Sequence, residues 1–170
     1  MLVQAIRLTL FFALFTLSRS CTTTYYVVRH AEKANNTADT PLSAEGHARA
    51  QALRDTLISK NIGRIFVTNY QRTQQTAEPL ATEMSITPTV IDGNLTTQLV
   101  QQLKAINGGS VLVVGHSNTV PVIIDSLMES SQNVTISETD FDNLFKVIVT
   151  KNDDEIIRDF IHLTYGVPTQ

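Results

Sequence analysis

Two arginines and two histidines stand just beyond apolar stretches of the chain, and together they suit a tetrahedral dianion such as a phosphoryl group. These residues are Arg29, His30, Arg72 and His116. Guanidinium groups match phosphate oxygens two at a time through charge-assisted hydrogen bonds. A neutral imidazole can attack phosphorus and divide a difficult hydrolysis into two easier steps. The second imidazole and the arginines would then stabilise charge in the transition state.

Apolar and β-branched stretches predict the strands that position these four residues. The predicted strands are residues 25–28, 64–67, 87–91 and 110–114, and Pro88 marks the third of them as an edge strand. The four polar residues follow the other three strands along the chain. Because the carboxyl ends of parallel strands lie at one edge of a sheet, where open α/β folds bind ligands, we expect the four side chains to converge there.

Helical spacing and capping residues separate the predicted strands. Ser43 is the expected N-cap of a helix with Glu45 in its first turn. A second helix begins at Arg72 and contains Pro79, where we expect a kink or an early end. Apolar residues at helical spacing over residues 95–106 predict a third helix.

The last third of the chain completes the predicted fold. Pro121 indicates the start of a fourth helix, and residues 144–150 and 155–164 have the pattern of a closing hairpin. Strands that alternate with helices imply a mainly parallel sheet covered on both faces. The predicted fold class is therefore α/β, a three-layer α/β/α sandwich.

The first 20 residues have the pattern of a removable signal peptide. Arg7 supplies positive charge, residues 8–17 form an apolar run, and Ser20 ends a segment of small residues around Arg19. The apolar run is too short for a membrane-spanning helix, which needs roughly 20 residues. Cys21 would then be the first mature residue, which predicts a bacterial lipoprotein exported to the periplasm or cell envelope with lipid on Cys21. The alternative is a lone cysteine near a cleavage site, since arginine departs from the usual lipobox.

The mature chain, residues 21–170, is long enough for one domain. Loss of Arg7 and Arg19 leaves 11 basic and 16 acidic residues, a net charge of −5. The absence of a basic cluster argues against a nucleic-acid partner. Since the chain has one cysteine, we expect no disulfide framework. Membrane attachment is expected only through the lipid anchor.

Four stretches of the sequence resemble the histidine phosphatase superfamily, also called phosphoglycerate mutase-like. They are VVRHAEK at residues 27–33, LSAEGHARAQAL at 42–53, TNYQRTQQTA at 68–77 and VVGHSN at 113–118. They come in the order and spacing of the family, as in its short RHAEK-type members, and cover nearly the whole mature chain. The resemblance implies a phosphoglycerate mutase-like fold and a phosphatase that uses no metal or other cofactor.

The resemblance also implies a role for each residue of the site. His30 would be the nucleophile that becomes phosphorylated, and Arg29, Arg72 and His116 would form the phosphate pocket. Asn36 lies where many family members have an asparagine that contacts phosphate. The implied substrate is a small phosphorylated molecule or a phosphoprotein.

The chain departs from the family at the proton donor. Family members often place a glutamate just after a leucine beyond the third strand, whereas Leu95 here is followed by Thr96 and Thr97. Asp92 and Glu32 are the alternative general acids. If neither of them acts, we expect a preference for good leaving groups, as in aryl phosphates, acyl phosphates and phosphohistidine.

The attacking imidazole must be neutral, and a free histidine has a pKa of about 6.5. We expect the neighbouring arginines to lower that pKa. Activity should then extend into mildly acid conditions.

Other functions stay open on the sequence alone. A phosphate- or phosphoprotein-binding module without turnover would keep the pocket and lack the proton donor. A phosphoglycerate mutase-type phosphotransferase is a second alternative, but only 43 residues separate Arg72 from His116, too few for the closing insertion of the mutases. A metal bound by His30, Glu32 and His116 is a third, which the two arginines disfavour because they would repel a cation.

Overall fold

The computed structural model describes residues 20–169. Its strands are β1 (Cys21–Arg29), β2 (Ile62–Thr68), β3 (Thr89–Ile91), β4 (Gly109–Gly115), β5 (Asn143–Lys151) and β6 (Ile156–Thr164). Its helices are α1 (Ala44–Leu57), α2 (Gln71–Glu83), α3 (Thr96–Lys104) and α4 (Thr119–Met128), and a short 3₁₀ helix, Ile58–Lys60, follows α1.

One six-stranded sheet runs in the order β3-β2-β4-β1-β5-β6. The first four strands in that order are parallel, and β5 and β6 add an antiparallel hairpin beside β1. The parallel neighbours β1 and β4 lie in the middle, as their composition of valine, leucine and tyrosine predicts. The predicted α/β fold with a mainly parallel sheet is confirmed.

Alternate residues of β1 supply the hydrophobic cores on the two faces of the sheet. Tyr25 and Val27 pack with residues of α3 and α4, and Tyr26 and Val28 pack with residues of α1 and α2. Successive side chains of a strand point to opposite faces, so a continuous apolar strand needs helices on both sides. Burial of each such side chain contributes roughly 1.5–3 kcal/mol. This packing fixes the position of the end of β1 and therefore the position of the residue that follows it.

Two local expectations differ from the structure. The α2 helix continues through Pro79 to Glu83, because Ala77 and Leu80 on its inner face are fully buried and packing outweighs one lost backbone hydrogen bond. Leu95 is not part of the apolar face of α3. It precedes the helix and is 48% exposed.

The predicted signal peptide lies outside the described residues, apart from Ser20. Cys21 is described: it begins β1, pairs with Lys151 of β5 and forms no disulfide. Among residues 20–169 no helix is long and apolar enough to span a bilayer.

Candidate active site

The ends of two adjacent strands position the first half of the site. Arg29 is the last residue of β1, and it lies opposite Gly115, the last residue of β4. His30 follows Arg29, and its backbone N–H donates to the Gly115 carbonyl at 2.9 Å. His116 follows Gly115, so the pairing of two parallel strands brings both imidazoles to one edge of the sheet.

The start of α2 brings in Arg72. The α2 helix follows β2 after a short turn at residues 69 and 70, and Thr73 fixes that turn because its hydroxyl donates to the Thr68 carbonyl at 3.0 Å. Arg72, the second residue of the helix, therefore stands at the same edge of the sheet. The ring centroids of His30 and His116 are 5.4 Å apart, and both imidazoles and both arginines line one cavity of about 290 Å³.

The hydrogen bonding of His30 identifies its reactive nitrogen. Nδ1 lies 2.8 Å from the Ala31 carbonyl, and a carbonyl only accepts, so Nδ1 carries the proton and Nε2 carries the lone pair. The side chain is 4% exposed. Burial, with smaller contributions from His116, Arg29 and Arg72, lowers the pKa of His30 to about 3. His30 is thus a neutral imidazole with Nε2 free to attack.

His116 is held between a hydroxyl and a guanidinium. Nε2 lies 3.1 Å from Thr68 Oγ1, and Nδ1 lies 3.5 Å from Arg72 Nη2. Because arginine only donates, Nδ1 accepts and Nε2 carries the proton. Burial first, and then Arg72 and Arg29, lower the pKa of His116 to about 4. The arginines contribute to both shifts, but desolvation is the larger cause, which the sequence-based argument did not include.

Each guanidinium is fixed by a carbonyl and an aromatic ring. Arg72 donates to the Ala38 carbonyl at 2.8 Å and lies over the Tyr70 ring at 4.3 Å. Arg29, only 2% exposed, lies over the Phe141 ring at the same distance. Burial lowers the pKa of both arginines. They are pre-oriented cations on rigid supports.

Two buried donors in this cluster have no partner. Within residues 20–169 the Nε–H groups of Arg29 and Arg72 are among the few buried side-chain polar atoms without a hydrogen bond. An unpaired buried donor is costly, and both side chains line the cavity that holds His30. Phosphoryl oxygens placed beside His30 would lie next to both guanidiniums.

Comparison with known proteins relates part of this sequence to a protein family. The model of the histidine phosphatase superfamily (branch 1) matches residues 25–96, the part of the chain that carries Arg29, His30 and Arg72. No curated protein sequence matches the chain.

This chain aligns with several solved structures of similar fold over nearly the whole length of those structures. The protein histidine phosphatase SixA complexed with tungstate is 18% identical, with a TM-score of 0.59, over 83% of this chain and 96% of SixA. A mycobacterial glucosyl-3-phosphoglycerate phosphatase is 13% identical, with a TM-score of 0.61, over 87% and 100%. A mutant phosphoserine phosphatase from Entamoeba histolytica in complex with phosphoserine is 14% identical, with a TM-score of 0.57, over 81% and 96%. At these identities the likeness is one of fold.

Asn36 is not brought to the cavity that contains His30. It is exposed and does not line the cavity. Its loop is closed on itself, because the Asn35 side chain accepts from the backbone N–H of Thr37 at 2.9 Å and the Asn35 N–H donates to Thr40 Oγ1.

Neither predicted general acid lines the cavity. Asp92 is exposed and accepts from the Asn94 backbone at 2.9 Å. Glu32 turns away to Arg49, whose Nε lies 2.8 and 2.9 Å from its two carboxylate oxygens. This ion pair also removes Glu32 from a metal site with the histidines. Among the residues described by the structure, no three histidine, cysteine or acidic side chains are grouped to hold a metal.

Sequence reasoning missed several polar residues of the cavity wall. Among them are Lys33, Tyr70 and Glu138. Lys33 and Tyr70 lie inside the superfamily-like stretches, and the aromatic residue two positions before Arg72 was the available signal. Glu138 lies in an irregular segment with no periodic pattern, so nothing local in the sequence marked it.

The two depressed histidine pKa values predict a loss of stability in acid. Below pH 6.5 the unfolded chain binds protons at His30 and His116, whereas the folded chain does not until about pH 3 to 4. The free energy of unfolding should therefore fall as the pH is lowered from about 6.5 to 4, by up to about 1.4 kcal/mol per pH unit for each histidine. Denaturant melts at several pH values would show a shallower dependence for His116→Gln than for wild type. His47→Gln, on an exposed residue of α1, is the control, and identical slopes for all three proteins would contradict the prediction.

Proposed function

We propose that this chain is a phosphatase that hydrolyses phosphomonoesters through a phosphohistidine on His30. The observation that carries the proposal is the state of His30: a buried, neutral imidazole whose Nδ1–H is held by the Ala31 carbonyl at 2.8 Å, beside two guanidiniums with unpaired Nε–H groups. The match of residues 25–96 to the superfamily model and the fold likeness to several phosphatases support it.

The first chemical step follows from these positions. His30 Nε2 attacks the phosphorus of the bound ester, an N–P bond forms, and the P–O bond to the leaving group breaks. Arg29 and Arg72 donate to the equatorial oxygens and stabilise their charge. His116 accepts from Arg72 at 3.5 Å and so helps to orient that guanidinium. The Ala31 carbonyl stabilises the imidazolium character that develops at Nδ1.

The proposed substrates have good leaving groups. Because Asp92 and Glu32 do not line the cavity, neither is placed to protonate a departing alkoxide. Aryl phosphates, acyl phosphates and phosphohistidine leave without strong acid assistance. The cavity is open at the sheet edge, and the chain between Arg72 and His116 is taken up by α2, β3, α3 and β4. Without a lid, water reaches the phosphoenzyme, which favours hydrolysis over transfer to a second substrate.

A binding module without turnover is the second candidate, favoured by the same absence of Asp92 and Glu32 from the cavity. It would bind a phosphate group and form no covalent intermediate. Rapid mixing therefore separates the two functions.

The test is a quench-flow experiment with an aryl phosphate and an alkyl phosphate. With the aryl ester we expect a burst of phenol close to one equivalent of enzyme, followed by slower turnover, and acid-labile, base-stable phosphate on the protein. With the alkyl ester we expect slow turnover without a burst, because the first step becomes limiting. Activity should survive EDTA, since the mechanism uses no metal or other cofactor.

Binding of phosphate without burst, label or turnover would favour the binding module. Equal rates of the chemical step for aryl and alkyl esters would contradict the leaving-group argument. Transfer of label to a phosphorylated sugar acid rather than to water would indicate a mutase.

The cellular setting is proposed from the leader and Cys21. We propose export, with an anchor on Cys21, which would place the start of β1 directly at the membrane surface. Radiolabelled fatty acid incorporated into wild type and absent from Cys21→Ser would support the anchor.

A further inference from the structure

The segment between α4 and β5, residues 129–142, contributes Glu138 to the wall of the cavity. The Ser137 and Asp140 carbonyls accept from Arg29 Nη1, and Phe141 packs beneath the guanidinium. The Phe141 ring also lies 6.2 Å, centroid to centroid, from the ring of His30. The segment is thus tied to both the phosphate-binding arginine and the nucleophile.

Glu138 is the acidic side chain that this segment contributes to the cavity. Its Oε2 accepts from Arg29 Nη2 at 2.8 Å, and its Oε1 accepts from Ser117 Oγ at 2.7 Å. Among the described residues that line the cavity it is the only carboxylate. Each carboxylate oxygen thus accepts one hydrogen bond, and the 74% exposure of the side chain leaves it open to water.

We propose that Glu138 is the general base of the second half-reaction, in which water hydrolyses the phosphohistidine. The inference rests on the proposed function. Water attacks the phosphorus, an O–P bond forms, and one water proton passes to the Glu138 carboxylate. The N–P bond breaks, its electron pair returns to His30 Nε2, and inorganic phosphate leaves. His30 keeps its Nδ1 proton, and Glu138 releases the transferred proton to solvent.

The surroundings of Glu138 suit a base better than an acid. The hydrogen bond from Ser117, together with the charges of Arg29 and Lys33, lowers the pKa of Glu138. It is therefore a carboxylate at neutral and mildly acid pH, when His30 is neutral as well. This assignment agrees with a first step that relies on the leaving group, because an ionised Glu138 has no proton to give.

A competing role is an electrostatic plug. In that role Glu138 would hold Arg29 only in the empty site, and an incoming phosphoryl group would displace it. If Glu138 is a plug, neutralising its side chain should raise turnover. If Glu138 is the base, neutralising its side chain should lower turnover.

The test is Glu138→Gln in the full chain, assayed with an aryl phosphate in quench-flow. Glutamine can keep hydrogen bonds to Arg29 and Ser117 but accepts no proton at neutral pH. We expect the burst to keep its amplitude and rate within a few-fold, while steady-state turnover falls about 100-fold, within the usual range for loss of a general base. Phosphohistidine should accumulate to nearly one equivalent. Glu129→Gln, at an exposed residue outside the cavity wall, is the matched control and should behave as wild type.

Each other result overturns the inference. A lost or slowed burst would show that Glu138 only positions Arg29. Faster turnover with tighter inhibition by inorganic phosphate would show a plug. Unchanged turnover would show that water needs no base from Glu138. Absence of a phosphoenzyme in wild type would instead refute the proposed function, so the two failures are distinguishable.

Discussion

His30→Ala should abolish both turnover of an aryl phosphate and the acid-labile label on the protein. Removal of the nucleophile costs on the order of 10⁴-fold or more in enzymes whose catalytic residues act as a unit. Arg29 and Arg72 would still bind phosphate, because they provide its oxygens with donors. We therefore expect inorganic phosphate to inhibit wild type and to bind His30→Ala with affinity of the same order, measured by calorimetry.

A second substitution separates chemistry from folding at this position. His30 is buried, so alanine leaves a cavity and costs stability. Asparagine can keep a donor for the Ala31 carbonyl, in the place of Nδ1–H, and lacks the attacking Nε2. His30→Asn should unfold close to the wild-type temperature and be as inactive as His30→Ala. His47→Ala, at an exposed histidine of α1, should keep full activity. Turnover above about 1% in His30→Asn, together with label elsewhere on the chain, would move the nucleophile to another residue.

The sequence was sufficient to predict the sheet and the meeting of the four central residues. Val27 and Val28 must be buried on opposite faces, which calls for helices on both sides of β1. The register that places Gly115 opposite Arg29 is an observation of the structure. His30 and His116 then come together because they follow paired positions. The chemical roles of His30 and His116 remain predictions, which the tautomer and the burial of each imidazole support.

The other features of the site could not be predicted, because they depend on contacts between residues distant in sequence. Glu32 looked available as an acid because its partner, Arg49, lies in the middle of α1. Asn36 lies in a loop whose path is set by its own hydrogen bonds rather than by a periodic pattern. Glu138 reaches the cavity only because the carbonyls around it bind Arg29, a contact across 109 residues. Hydrophobic periodicity in the sequence predicts helices and strands well, but it does not show which loop lines a cavity.

Arg72→Lys should lower kcat/KM for an aryl phosphate by about 10²- to 10³-fold, the usual cost of one donor to the developing charge. Lysine keeps the positive charge but has a single ammonium in place of the planar fork. It cannot bind the Ala38 carbonyl, lie flat over Tyr70 and present an Nε–H to the phosphoryl group at once.

The split between binding and chemistry tests this geometry further. If Arg72 acts mainly in the transition state, the burst rate should fall far more than the affinity for inorganic phosphate. Arg72→Ala should be worse than Arg72→Lys in both, because charge is lost as well. Arg54→Lys, at an arginine that pairs with Asp55 away from the cavity, should match wild type and exclude a general effect of replacing arginine. A lysine variant with a wild-type burst rate would mean that charge alone is sufficient, and the proposed fit of the two unpaired guanidinium donors to phosphoryl oxygens would be wrong.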